Sequence, residues 1–324
     1  MTFETFRALP FFSTFPEAIL RHLYDLMEKK EYPEGFTVTR EGDKGDSFFV
    51  VVSGELEVRK VINRETGEYK TLARIGEKEI FGEMAVFDQT PRSADVVSLT
   101  DVTLWRITVP YLKGLLQSDP AKGADFLMAM ITLLISRLRS TSKTATVLAE
   151  AGQIVSKSPD LPTLTRALFE LIVREIEGSD AAVFALYNWF NNEFNVVEST
   201  ENESARTFPA VFDPSDPFVF RLTKSAEPIL ISGGLGYTGT ISSLGTEGIF
   251  AEASSLLAAP FWYGSNLFGF IVLANFLQKG AFTREHLVLL QGICNMVAPA
   301  METFRYRSDE DARNRLLKAK GFAV

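Results

Sequence analysis

The stretch Phe81-Gly82-Glu83-Met84-Ala85-Val86-Phe87-Asp88-Gln89-Thr90-Pro91-Arg92-Ser93-Ala94-Asp95-Val96 decides the reading of this chain. Gly82 lets backbone come close to a ligand. Glu83 to Val86 fit one helical turn, whose free N–H groups attract an anion such as phosphate. Arg92 follows nine residues after Glu83 and offers a planar donor fork suited to phosphate oxygens. Pro91 stiffens its approach, and Ser93 adds a hydroxyl and an N–H. A carboxylate beside an anion-binding turn repels phosphate; it makes sense when it faces a sugar and accepts a hydrogen bond from a ribose hydroxyl. Glycine, acid and arginine together suit a nucleotide with one phosphate and a free ribose hydroxyl.

Upstream of this stretch, residues 3–30 read as mostly helix, with Ile19, Leu20, Leu23, Leu26 and Met27 at helical spacing after Pro16 and Glu17. From Glu31 the period changes to short strands: Phe36 and Val38, Phe48 to Val52, Leu56 and Val58, then Leu72–Ile75, Ala94–Ser98 and Thr103–Val109. Glycine turns separate the early ones, at Gly35, Gly42, Gly45 and Gly54. Many short strands with such turns suggest a small barrel or roll.

Downstream, the spacing predicts a long helix from about Pro120 to about Val155. Leu127, Ile131, Leu134, Leu138, Thr141, Ala145 and Leu148 fall on alternating steps of four and three. That is an a/d seam, expected to pair with a second copy as a homodimer, although such a row can also pack on its own domain. The Ser156–Pro162 break opens a second region, with a helix over 164–176 and strand candidates at 181–187, 193–199, 228–231, 255–262 and 267–275. Residues 200–217 read as a long polar loop, 282–304 as a final helix and 307–324 as a short capped helical tail. An α+β sheet with helices on one face is the expected architecture there.

The chain has 324 residues, enough for two domains, with 46% hydrophobic and 23% charged residues, an ordinary globular balance. Net charge is −8, and both the first 150 residues and the remainder are acidic. A large nucleic-acid footprint is not expected from such a balance. One cysteine, Cys294, excludes an internal disulfide framework and a paired-cysteine redox site. His22 and His286 alone leave little for a metal site. No apolar run reads as long enough to span a membrane, so a cytoplasmic protein without a membrane partner is expected.

The quoted stretch resembles the phosphate-binding cassette of cyclic-nucleotide-binding domains, F-G-E-[LM]-A/G…R-[AST]-A. Leu9-Pro10-Phe11-Phe12, Tyr32-Pro33-Glu34-Gly35, Arg40 to Asp46 and Val51-Val52-Ser53-Gly54-Glu55-Leu56 are similar to further blocks of that family, in its order, over residues 5–140. The resemblance implies a jelly-roll-like β-roll with the cassette helix inside and a helical lid after it. It implies cAMP or cGMP as ligand, with Glu83 on the ribose 2′-hydroxyl and Arg92 on the cyclic phosphate. Phe81, Gly82, Met84, Ala85, Ser93 and Ala94 complete the implied binding set through backbone or short side chains. The family's usual glycine before the cassette is Lys78 here, which puts the local turn in question.

Ser255 to Asn275, with Pro260, Gly264 and Phe268-Gly269, followed by Ala281-Phe282-Thr283-Arg284-Glu285-His286, resembles the C-terminal half of a GAF-type domain. The resemblance covers about 150–305 and implies an antiparallel sheet with flanking helices; domains of this type bind a small ligand or pair as dimers, and the fold alone implies neither. The domain reading is therefore a β-roll over 1–119, a lid or connector helix over 120–155 and a GAF-like domain over 156–306. Tyr187, Trp189, Phe190, Trp262 and Tyr263 are candidates for a cavity lining, with core packing as the commoner explanation. Gly234-Leu-Gly236-Tyr-Thr-Gly239 matches GxGxxG but is followed by poor helix material, so it reads as a loop. The expectation is a cyclic-nucleotide sensor that signals through the long helix and is not an enzyme. A dimeric scaffold with vestigial pockets is the alternative, and an enzyme in the GAF-like half is a weaker one.

Overall fold

Ser47–Ser53 (β3, sequence SFFVVVS) is apolar on both faces because each face meets a different layer. Phe49 and Val51 enter one buried cluster with Leu56, Ile75, Phe81, Val96, Val102 and Leu104. Phe48 and Val50 enter another, with Phe6, Leu20, Leu23, Trp105, Leu112, Phe126 and Met130. Alternate residues of a strand point to opposite faces, so the uninterrupted apolar run places β3 between two layers.

The structure is a computed structural model, and it describes residues 3–7, 12, 15, 17–63, 66–87, 90–200, 208–225, 227–232, 250 and 253–319. The chain divides into two compact units, Met1–Leu138 and Arg139–Val324. In the first, β1 (Glu28–Tyr32), β8 (Val102–Thr108), β3 and β6 (Ile80–Phe81) form one four-stranded sheet in that order. β2 (Thr37–Thr39), β7 (Asp95–Ser98), β4 (Leu56–Asn63) and β5 (Glu68–Ile75) form the other. All neighbours are antiparallel. The cluster around Phe49 and Leu56 is the filling between the sheets, which makes this unit the expected β-roll. The helices α1 (Phe3–Arg7), α2 (Glu17–Leu26), α4 (Val109–Ser118) and the start of α5 (Pro120–Lys157) supply the residues that cover the outer face of β3 and β8. The helix expected over 3–30 thus ends at Leu26. Residues 28–32 pair with β8 instead, because tertiary pairing outweighs the local helical period.

α5 spans 38 residues, close to the expected length. Its seam is not the one the spacing suggests. Leu127 packs against the core of the first unit and Leu148 against that of the second. The outward row is Met128, Ile131, Ile135, Leu138, Ser142, Ala145 and Ala149, all exposed. Between Met130 and Val147 no described side chain is buried. A helix row with steps of three and four is unique only up to a rotation of about 50° between neighbouring faces, and self-packing chose which of the two faces water.

The second unit holds one six-stranded antiparallel sheet, ordered β11 (Val211–Phe212), β10 (Glu193–Ser199), β9 (Ala181–Asn188), β14 (Asn266–Asn275), β13 (Ser255–Tyr263) and β12 (Ile229–Ser232). One face packs on α6 (Leu161–Glu175), α8 (Arg284–Ala319) and the end of α5 through Leu168, Ile172, Phe184, Leu257, Ile293 and Val297. Contrary to the one-sided expectation, the other face is also covered. Phe218, Val219 and Leu222 of α7 (Pro217–Ser225) lie there with Phe194, Phe212, Phe250 and Phe270. α7 follows the stretch read as a long loop. Asp160 caps α6, its Oδ1 accepting from the Thr163 N–H at 2.9 Å.

α8 runs unbroken for 36 residues, so the final helix and the tail helix are one element. Its Arg284–Arg307 part is long and apolar enough to cross a membrane by composition, unlike the expectation from the sequence. Its apolar row Leu289, Leu290, Ile293, Val297 and Met301 is spent on the core. Cys294 is buried there, and burial pushes its thiol well above the ordinary value, which makes it inert at neutral pH. The GxGxxG stretch lies outside the described residues.

Candidate functional site

The cassette begins where β6 ends. Gly82 adopts φ 80°, a left-handed conformation that glycine takes freely. The chain turns there into α3 (Glu83–Phe87). Gly82 also faces Arg92 closely: a Cβ at this position would lie 2.5 Å from Arg92 Nη1. Glycine is therefore required twice, for the turn and for the approach.

Arg92 is 6% exposed. Its Nη1 donates to the Gly82 carbonyl at 2.9 Å and its Nη2 to the Ser47 carbonyl at 2.5 Å. Asp46 Oδ1 stands 4.0 Å from Nη2 and leans toward Arg106, whose Nη2 donates to its Oδ2 at 3.0 Å. Burial holds the Arg92 pKa below its ordinary value, while Asp46 pulls it back up. The guanidinium is thus a buried cation held by neutral acceptors with a shared, half-distant counter-ion. Such a group gains from an arriving anion. Ser47 and Asp46 were not singled out in the sequence as partners of Arg92, although the turn before β3 contains Asp46.

Glu83 is 4% exposed, at the first position of α3. Its Oε1 accepts from Arg137 Nη1, and Arg137 Nη2 donates to the Ile80 carbonyl at 2.9 Å. Arg137 sits on α5, 54 residues away in sequence. No local pattern marks it; only the packing of α5 on the roll brings it here.

The other expected site residues divide. Met84 is exposed. Ser93 is exposed, and its carbonyl accepts from Lys60 Nζ at 3.0 Å. Ala85 lies in α3. Phe81 and Ala94 are buried, and the Phe81 ring stacks on Phe49 with centroids 4.9 Å apart. Their side chains are therefore part of the packing beneath the cassette. Lys78 takes the left-handed conformation at φ 71°, its N–H donating to the Val51 carbonyl at 2.9 Å. The turn that Gly76 opens before the cassette therefore forms with Lys78 where the family usually has a glycine.

In the second unit the candidate aromatics divide, with Tyr187 and Trp262 half-buried. Trp189, Phe190 and Tyr263 are exposed, and Trp189 lies under the Arg305 guanidinium at 4.8 Å. No group of three or more metal-binding side chains occurs among the described residues.

Residues 29–119 match the family model described as "Cyclic nucleotide-binding domain". The chain is 37% identical over 92 residues to a cAMP-dependent protein kinase regulatory subunit of Aspergillus niger, covering 28% of this chain and 21% of that protein. It is 28% identical over 116 residues to a CRP-like cAMP-activated global transcriptional regulator of Mycobacterium tuberculosis, covering 36% of this chain and 49% of that protein. The chain thus spans less than half the length of these relatives. Among solved structures, it is similar to the N-terminal domain of a transcriptional regulator from Streptomyces coelicolor, with 29% identity and TM-score 0.36 over 42% of this chain and 92% of that one. It is also similar to a cyclic nucleotide-binding domain from Methylobacillus flagellatus, with 30% identity and TM-score 0.35 over 39% and 69%. With the motif, the roll and the family match falling on the same residues, 29–119 are a cyclic nucleotide-binding domain.

Proposed function

We propose that this chain is a cAMP-responsive regulatory protein, with Arg92 receiving the cyclic phosphate and Glu83 a ribose hydroxyl. The observation that carries the reading is the pairing of a buried guanidinium with a buried carboxylate on either side of the Gly82 turn. One attracts the anion and the other accepts from the sugar, so a nucleoside cyclic monophosphate satisfies both at once. cAMP is preferred over cGMP because the two curated relatives are named for cAMP. The α3 backbone and Ser93 would complete the contacts.

Two further elements belong to this proposal. The second unit is read as GAF-like, supported by its six-stranded antiparallel sheet flanked by helices and by the tight β13–β14 hairpin with Gly264 and Gly269. A second copy is expected along the outward row of α5, where Ile131, Ile135 and Leu138 are exposed at heptad spacing. Ligand in the roll would then bias the helix that both units share, and so regulate through protein contact inside the cell, with no reaction catalysed.

Calorimetric titration of the nucleotide-stripped chain with cAMP and cGMP tests the site. Micromolar or tighter binding that Arg92→Ala weakens by about 2–5 kcal/mol is expected. Absence of binding to either nucleotide would favour a scaffold with a vestigial pocket.

A further inference from the structure

At one end of the six-stranded sheet, the turn between β9 and β10 carries Trp189 and Phe190. The turn is fixed by its own polar groups. Asn188 Oδ1 accepts from the Phe190 N–H at 3.0 Å, and the Asn192 N–H donates to the Asn188 carbonyl at 2.9 Å. The Tyr187 hydroxyl bonds to Asn192 Oδ1. Asn192 takes the left-handed conformation at φ 56°, which asparagine adopts more readily than most residues. On this fixed turn Phe190 is 98% exposed, and Trp189 is exposed too. A phenyl ring held in water contributes nothing to folding; it gains free energy only when something covers it.

Beside Trp189 stands an arginine short of acceptors. Arg305 of α8 places its Cζ 4.8 Å from the Trp189 ring centroid, 5.0 Å from that of Tyr306 and 5.8 Å from that of Phe268. Its Nε is buried without a hydrogen-bond partner. Among the described residues its ion-pair partner is Glu302, 3.8 Å from Nη2. Glu302 Oε1 accepts instead from Asn266 Nδ2 at 3.2 Å, at the start of β14. Rings attract the cation through their faces, but the donors of a guanidinium lie in its own plane and stay unmet. The Arg305 side chain keeps 25% exposure, so a group arriving from solvent can reach it.

A planar donor fork takes a carboxylate edge-on, through two parallel hydrogen bonds. The aromatic side chains of the turn cover an apolar neighbour of that carboxylate. Trp, Tyr and Arg are the side chains that dominate contacts between proteins, and a turn fixed beforehand loses little entropy on docking. A phosphate dianion suits the place less, because Glu302 repels two charges more than one. We propose that this end of the second unit docks a segment of a partner protein that presents a carboxylate next to an apolar side chain. Arg305 receives the carboxylate, and Trp189 and Phe190 cover the apolar group. The surface lies wholly in the second unit, so it stands whether or not the roll takes cAMP.

The test titrates the full chain with two short peptides, one alternating leucine with glutamate and one alternating leucine with glutamine. Binding is read from the Trp189 indole N–H resonance, assigned by its loss in Trp189→Phe. The glutamate peptide should bind about tenfold or more tighter than the glutamine peptide, the worth of a hydrogen bond to a charged group. Arg305→Gln should erase that preference. Phe190→Ser should weaken both peptides alike and leave the thermal melt unchanged, because the ring it removes touches almost nothing. Equal affinity for the two peptides, a preference that survives Arg305→Gln, indifference to Phe190→Ser, or no binding at millimolar peptide would each overturn the proposal. So would an indole shift as large with inorganic phosphate, or with phosphatidylglycerol vesicles, which would make this a general anion site or a membrane contact. Sedimentation that falls from dimer to monomer in Phe190→Ser would give the surface to a second copy and overturn it as well.

Discussion

Arg92 Nη1 donates to the carbonyl of Gly82 at 2.9 Å, and the missing Cβ of Gly82 leaves the space that this nitrogen fills. The Arg92 guanidinium and the turn into α3 are thus one structural unit. Gly82→Ala should cost about 1–2 kcal/mol of stability from the left-handed backbone alone. It should also displace Arg92, so cAMP affinity should fall in a protein that still melts cooperatively. Urea unfolding and titration on the same sample check both; full affinity in Gly82→Ala would contradict the required approach.

Arg92→Lys separates charge from geometry. Lysine keeps the positive charge but loses the planar fork that spans the Gly82 and Ser47 carbonyls. A loss of about 1.5–3 kcal/mol in cAMP binding is expected, the worth of a hydrogen bond to a charged group. Affinity equal to wild type would mean that charge alone suffices.

Lys78 pays a steric penalty for its left-handed backbone at φ 71°. Lys78→Gly removes that penalty, partly offset by the greater freedom of glycine in the unfolded chain. The net expectation is stabilisation of up to about 1 kcal/mol, with nucleotide affinity unchanged. Chemical denaturation followed at Trp105, which sits in the roll, reads this out. A destabilised Lys78→Gly would show that the lysine side chain itself supports the turn.

The outward row of α5 predicts a dimer whose disruption spares the fold. Ile135→Glu with Leu138→Glu places two charges on exposed positions, so the melting of each unit should hold. Sedimentation should then shift from dimer to monomer. A wild-type chain that sediments as a clean monomer at high concentration would remove the dimer from the model.

His286, at the start of α8, is half-buried, and its Nδ1 is buried without a partner. Burial lowers its pKa below the ordinary 6.5, Lys143 of α5 lowers it further, and Glu285 and Glu177 act against them. The unfolded chain therefore binds a proton more readily than the folded one. Stability of the second unit should be full above about pH 6.5 and fall as the pH drops below it. His286→Phe should flatten that fall in pH-dependent urea unfolding. An unchanged pH profile would assign the acid sensitivity to other groups.

The sequence by itself determined the roll, because its evidence is local. Gly82, Glu83 and Arg92 lie within eleven positions, and the turn glycines punctuate runs of alternating side chains. The Ser255–Asn275 hairpin was legible for the same reason, since Gly264 and the apolar strands on either side are near in chain. What tertiary structure decided is everything that depends on which face of an element is covered. Periodicity alone could not tell that Leu127 and Leu148 turn inward while Met128 and Ile135 face water. Residues 28–32 became a strand because β8 was there to pair with them. α7 could cover the second sheet face only because Phe194, Phe212 and Phe270 were already assembled on it from three strands. Arg137 reached Glu83 because a helix fixed at Met130 carries it there, a distance that no motif spans and that only packing can close.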